Sequence, residues 1–181
     1  MKYFLGSLCL LFLISAASYA QAETRVYFSP NGGCQEAVVE AISKAQNAID
    51  IAMYSITSRQ IAQAVLKAKE RQVKIRIVLD RSQIKEHYSK SRYLIGKGVN
   101  VKFLLGPGLM HNKFAVIDGR ILLTGSFNWT AAADKKNAEN LLVIKDKDLA
   151  QKYVKQFKHL WGQSGQGAFN EKAPADKEDD Q

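Results

Sequence analysis

Several absences narrow this sequence before any motif is read. Only two cysteines occur, Cys9 and Cys34, and no Cys/His cluster stands at zinc-ligand spacing. No run of Asp and Glu makes an obvious Mg²⁺ site, so no metal or other cofactor is expected. Histidine is scarce, confined to His87, His111 and His159, and no segment repeats. Cys9 lies in an apolar leader, which leaves Cys34 alone in the body. A lone cysteine in an exported protein is either buried and inert or bridges two chains, and inert is the preferred reading.

What is present begins with that leader. Lys2 supplies a thin positive start, Phe4–Ile14 an apolar core, and Ser18–Ala20 or Ala20–Ala22 a small-x-small cleavage site. Residues 1–20 or 1–22 are therefore expected to be a signal peptide, with export to the periplasm or beyond. Tyr3–Ala20 is nearly long enough to span a bilayer, so an uncleaved membrane anchor is the rival reading. The length suits a single domain with a real core, assigned to residues 23–161. From Gly162 the composition turns to Gly, Ser and Gln and then to acids, so 162–181 is expected to be a disordered acidic tail.

The formal charge is +9 and the pI about 9.5. Lys2 is the only charge in Met1–Ala22, and Glu171–Gln181 carries five acids against two lysines, so the segment between holds +11. A body that basic attracts polyanions, either nucleic acid or an anionic membrane surface.

The body alternates strand and helix. Arg25–Ser29, Ile49–Tyr54, Lys74–Leu79, Val99–Leu105 and Leu141–Lys145 read as strands. Gln35–Ala48, a segment capped at Thr57 or Ser58 and running through Glu70, Ser91–Lys97, Thr130–Lys136 and Asp148–Trp161 read as helical. Arg81–Lys90 is polar and reads as loop or frayed helix. The pattern predicts an α/β fold, a mixed β-sheet flanked by helices on both faces.

The informative stretch is His111–Asn128, HNKFAVIDGRILLTGSFN. Asp118-Gly119 between the apolar runs Phe114–Ile117 and Ile121–Leu123 predicts a β-hairpin, and Phe114–Ile117 reads as a strand buried on both faces. A two-residue turn would pair Ile117 with Arg120, Lys113 with Thr124 and His111 with Ser126. Those four, His111, Lys113, Thr124 and Ser126, would then share one face, with Asn128 just beyond and Asp118 at the far end. An imidazole, a fixed cation and small polar donors at one spot make a site for an anion.

His111-x-Lys113, four residues, Asp118, six residues, then Gly125-Ser126-x-Asn128 resembles the HxKxxxxD…GSxN signature of the phospholipase D superfamily of phosphodiesterases. From about Val26 to Trp161 the chain is most similar to the small single-motif bacterial endonucleases of that superfamily. Glu139-Asn140 resembles the Glu-Asn that follows the motif there. The resemblance implies the superfamily's mixed sheet and a reaction through a covalent phosphohistidine. One histidine attacks phosphorus and a second protonates the leaving oxygen. His87 lies in a Lys-rich polar stretch and His159 on the last helix, and neither has an x-Lys partner, so the second catalytic residue is expected to be His111 of another copy. An obligate homodimer with one shared active site follows.

In that scheme the neutral imidazole of one His111 is the nucleophile, a task imidazole suits because the unperturbed pKa of the side-chain type, ~6.5, lies near neutrality. Its counterpart in the second copy is general acid and then base. Lys113 and Asn128 bind the non-bridging oxygens, and Ser126 donates to an oxygen or orients a neighbour. Glu139 is a candidate to hold the imidazole through its second nitrogen. Strand parity places Asp118 away from His111, as a turn carboxylate accepting backbone or Lys/Arg hydrogen bonds. Phe127 and Trp129 either stack bases or fill the core. Lys85, Lys90, Arg92, Lys135 and Lys136 are candidates for tracking a phosphate backbone, or simply solvated surface.

Three functions fit. The first is a metal-independent, largely sequence-nonspecific endonuclease acting on DNA, with cleavage of RNA left open by the sequence. The second is a phospholipase D acting on phosphatidylcholine or cardiolipin, for which the uncleaved leader is the only apolar entrance legible in the sequence. The third is a non-catalytic nucleic-acid-binding module, against which an intact His, Lys and Asn set argues.

Overall fold

Alternation of short apolar runs with amphipathic ones becomes, in a computed structural model, a single sheet between two helical layers. The structure describes residues 23–167. The proposed leader and the acidic end of the chain lie outside them. The strands are β1 (Glu23–Ser29), β2 (Ala48–Met53), β3 (Lys74–Asp80), β4 (Asn100–Leu104), β5 (Lys113–Ile117), β6 (Ile121–Gly125), β7 (Glu139–Lys145) and β8 (Ser164–Gly165). The helices are α1 (Cys34–Ser43), α2 (Arg59–Glu70), α3 (Ser91–Gly96), α4 (Ala131–Lys135) and α5 (Lys147–Gln163), and a 3₁₀ turn covers Arg81–Ile84.

Strand order is β1-β7-β6-β5-β2-β3-β4-β8. The β2, β3 and β4 strands run parallel, and every other pairing is antiparallel. The sheet is mixed, as expected. One face buries the apolar sides of α1 and α2 with Leu94 and Ala133, while Ala150, Phe157 and Leu160 of α5 cover the other. The middle strand β5 shows why both layers are needed. Ala115 and Ile117 face the first layer, Phe114 and Val116 the second, and all four are buried.

Local chemistry sets the ends of the elements. The Ser58 hydroxyl accepts from Ile61 N–H and starts α2, and Thr130 and Asp146 cap α4 and α5 in the same way. Arg76, one of the alternating charges in β3, makes a two-pronged pair with Asp50 at 2.8 Å per bond and lies over the Phe157 ring. Cys34 is fully buried and free, which excludes the interchain bridge; burial and nearby carboxylates push its thiol pKa up.

Two expectations need correction. The domain boundary at Trp161 falls inside α5, which continues to Gln163. Ser164–Gly165 then pair with β4, so residues 162–165 are structure rather than tail. Short polar residues after a helix read as disorder, yet here they cover the free edge of β4. The other edge strand, β1, has no further strand beside it among the described residues, and on it Val26 and Phe28 are 54% and 61% exposed.

The hairpin register is the second. Ile117 pairs with Ile121, Ala115 with Leu123 and Phe114 with Thr124. The connection therefore has three residues. Asp118 and Gly119 both take left-handed φ, 52° and 66°, and Arg120 N–H closes the turn on Ile117 O at 3.1 Å. One extra residue moves every side chain of β6 to the opposite side relative to β5. Thr124 points with Phe114 toward the α5 layer and leaves the face that carries Lys113.

Candidate active site

The carboxyl ends of β2, β3, β4 and β6 and the amino ends of β5 and β7 meet at one end of the sheet. Every candidate except Asp118 comes from there. Asp80, at the end of β3, is buried, and its carboxylate accepts from Met110 N–H at 2.8 Å and Ser82 N–H at 2.9 Å. The segment entering β5 is thus tied down one residue before His111. Burial would raise the Asp80 pKa, but Ser82, the Met110 amide and Arg81 outweigh it and hold the carboxyl below its usual range.

His111 is exposed, and its ring lies edge-on to Tyr54, with centroids 5.0 Å apart. Lys113 opens β5 opposite Met53. Its ammonium donates to His111 O at 2.9 Å and sits 5.2 Å from the centre of the Tyr54 ring. Burial lowers the lysine pKa, and the Glu139 carboxylate pulls the other way. A partly desolvated cation beside an exposed imidazole suits a phosphodiester, whose non-bridging oxygens carry the charge the ammonium lacks.

The other half of the site is built on β6 and β7. Ser126 N–H donates to Asn140 O at 3.1 Å, and Asn140 N–H returns a bond to Ser126 Oγ at 3.1 Å. Ser126 Oγ donates to Glu139 Oε2, while Asn137 Nδ2 donates to Oε1 at 3.2 Å. Both carboxylate oxygens of Glu139 are thereby engaged by Ser126 and Asn137, not by the imidazole it was expected to hold. Glu139 anchors Ser126 and biases Lys113 instead. Asn128 is half-buried, and its buried Oδ1 has no hydrogen-bond partner among the described residues.

Gly125 makes this half possible. Its φ is 147°, and a Cβ there would stand 2.2 Å from Asn140 O. Glycine alone lets β6 close on β7 at the point where Ser126 turns into the site.

Asp118 lies in the hairpin turn at the far end, as parity predicted. Its carboxylate accepts from Gln46, Asn47 and Ala48 N–H at 3.0, 2.7 and 3.0 Å, fixing the entry to β2. Burial would raise its pKa, yet those three donors and Arg120 hold it below the usual range. A depressed folded pKa contributes stability that is present above the unfolded value, ~3.9, and lost as pH falls through the folded one. Asp118→Asn is expected to cost about 2 kcal/mol at neutral pH, or roughly 4–8 °C in Tm for a chain this long. It should also flatten the fall in stability below about pH 4. Urea titrations at pH 7 and pH 3 check both, and an unchanged gap between variant and wild type across that range would refute the clamp.

Phe127 and Trp129 are each 1% exposed and belong to the core, so neither stacks bases. His87 is exposed and edge-on to Tyr88, and His159 lies on the exposed side of α5. Among the described residues no three His, Cys, Asp or Glu side chains gather as a metal-binding group. Sequence reasoning missed Tyr54 and Asp80. Asp80 ends β3 and Tyr54 directly follows β2, and ligand sites in α/β sheets form outside the carboxyl ends of parallel strands, which was the available signal.

Imidazole, ammonium and amide at an open sheet end define a phosphoryl-transfer site of the histidine–lysine type. Comparison with known proteins carries this further. Residues 38–161, more than half the chain, match the family described as "Cardiolipin synthase, PLD-like domain". A phospholipase D of Rickettsia conorii is 38% identical over 138 residues, 76% of this chain and 69% of that protein. A human mitochondrial cardiolipin hydrolase is 32% identical over 126 residues, 70% of this chain but only half of the relative. Nuc of Salmonella typhimurium, a phospholipase D family member, superposes with a TM-score of 0.76 at 30% identity, over 80% of this chain and 97% of Nuc. NucT from Helicobacter pylori also gives 0.76, at 26% identity, over 81% of this chain and all of NucT. The chain belongs to the phospholipase D superfamily and is a phosphodiesterase of that type.

Proposed function

We propose that this phosphodiesterase is a metal-independent, largely sequence-nonspecific endonuclease that hydrolyses DNA in a homodimer sharing one active site. The observation that carries the reading is an exposed His111 with Lys113 beside it, on a body of charge +11 that holds only one such motif. A polyanion is drawn to that surface, and two fixed ammonium groups, one from each copy, stabilise the charge of the reacting phosphate. The resemblance to single-motif bacterial endonucleases points the same way.

The imidazole of one His111 attacks phosphorus in line, forming a P–N bond as the P–O bond to the leaving oxygen breaks. The imidazolium of His111 in the second copy gives that oxygen its proton. Now neutral, it takes a proton from the water that cleaves the P–N bond and releases the phosphate. Lys113 and Asn128 hold the non-bridging oxygens, Ser126 orients the site from its place on Glu139, and the exposed Lys85, Lys135 and Lys136 track the backbone. Export to the periplasm or exterior, following loss of the leader, is part of the same reading.

A second reading has its own support. The β4–β5 loop that leads into His111 exposes Leu105 and Leu109, 49% and 60% accessible, an apolar entrance not evident in the sequence. A phospholipase D cleaving phosphatidylcholine or cardiolipin would use it, and curated relatives carry the names phospholipase D and mitochondrial cardiolipin hydrolase. Purified protein is expected to degrade plasmid DNA in EDTA while leaving vesicles of either lipid intact, read by gel and by head-group release. Head-group release without DNA loss would establish the second reading; neither product would leave a binding module.

A further inference from the structure

The mechanism uses His111 and Lys113 but leaves open what holds two flexible side chains ready at an exposed sheet end. Among the described residues the Lys113 ammonium has one hydrogen bond, to His111 O at 2.9 Å, and the Glu139 carboxylate is bonded to Ser126 and Asn137 rather than to the imidazole. Tyr54 touches both His111 and Lys113. Its ring meets the His111 ring edge-on at 5.0 Å, and the Lys113 ammonium lies 5.2 Å from its centre.

The backbone under Tyr54 is anchored on both sides of the site. Tyr54 N–H donates to Asn112 O at 2.9 Å, between His111 and Lys113. Just after it, Trp129 N–H donates to Ser55 O, and Thr57 and Ser58 N–H both donate to Trp129 O, the residue that follows Asn128. The main chain that carries the ring is thus tied to both halves of the motif. Tyr54 is only half-buried, so packing the core does not account for its place.

We propose that Tyr54 is the positioning residue for both reactive side chains, its ring setting the plane of the His111 imidazole and holding the Lys113 ammonium beside the incoming phosphate. An aromatic ring suits this better than an acid. Its quadrupole attracts the ammonium too weakly to compete with phosphate oxygen, so the cation is parked rather than consumed in an ion pair. The role belongs to the ring, not to the phenolic oxygen. This inference rests on the reaction proposed above.

The test compares Tyr54→Leu with Tyr54→Phe on plasmid DNA and on bis(p-nitrophenyl) phosphate in EDTA, with thermal unfolding of each variant. The Leu variant is expected to fold and to lose about 10²-fold in kcat with little change in KM, because binding survives while the attack geometry does not. The Phe variant is expected to recover most of that loss. If Leu does not fold, Tyr54→Met takes its place. Wild-type kcat in the Leu or Met variant would overturn the proposal, as would a Phe variant no better than Leu. His111→Asn separates the two levels: if it still cleaves, the proposed reaction fails, whereas if it is dead and Tyr54→Leu is fully active, only the role of Tyr54 fails.

Discussion

Replacing His111 with Asn is expected to lower DNA cleavage in EDTA by about 10⁴-fold or more, the scale of losing a covalent nucleophile. Stability should stay within about 0.5 kcal/mol of wild type, because the side chain is exposed and its one ring contact among the described residues is with Tyr54. The same variant tests the shared site. If each centre needs an imidazole from both copies, dimers of one wild-type and one variant chain are inactive. Activity of co-refolded mixtures then follows the square of the wild-type fraction, about one quarter at equal proportions. A linear dependence would mean each chain works alone, and another group must supply the leaving-group proton. Gel assays on mixtures of known ratio, with exchange confirmed by tagged chains, give the curve directly.

Gly125→Ala is expected to have the largest effect on folding of any change near the site. The new methyl would meet Asn140 O at 2.2 Å, on backbone that cannot yield without parting β6 from β7, at a φ of 147° that side chains rarely tolerate. A loss of about 3 kcal/mol or more follows from the conformation and the overlap together, or roughly 6–12 °C in Tm. Whatever folds should also be nearly inactive, because Ser126 and Asn128 are aimed from this point. Urea unfolding and cleavage rate, measured side by side, decide it; native stability in the Ala variant would show that β6 closes on β7 differently.

The motif glycine illustrates what can be read from a chain and what cannot. Spacing identified Gly125 and its neighbours, and parity identified Asp118 as remote from the chemistry, because both depend only on counting along the backbone. Element order was equally legible, since Ile49–Tyr54 and Ser58–Glu70 carry clear strand and helix periodicity. Register was not. Whether Asp-Gly closes a two- or a three-residue connection depends on Asp118 reaching the Gln46–Ala48 amides, a contact about seventy residues away in sequence. Thr124 was lost from the site for that reason. The contacts of Glu139 with Ser126 and of Tyr54 with His111 and Lys113 were hidden likewise, because they join segments brought side by side only in the folded sheet. Strand β8 was obscured by composition, since Ser164 and Gly165 have no strand propensity and pair only because β4 offers a free edge.

The pairing of β1 with β7 carries a consequence for synthesis. Glu23 lies against Lys145, so the earliest strand of the domain finds its neighbour only after nearly the whole domain has been made. Until β7 has been made, Val26 and Phe28 lie on a strand that has no neighbour to pair with.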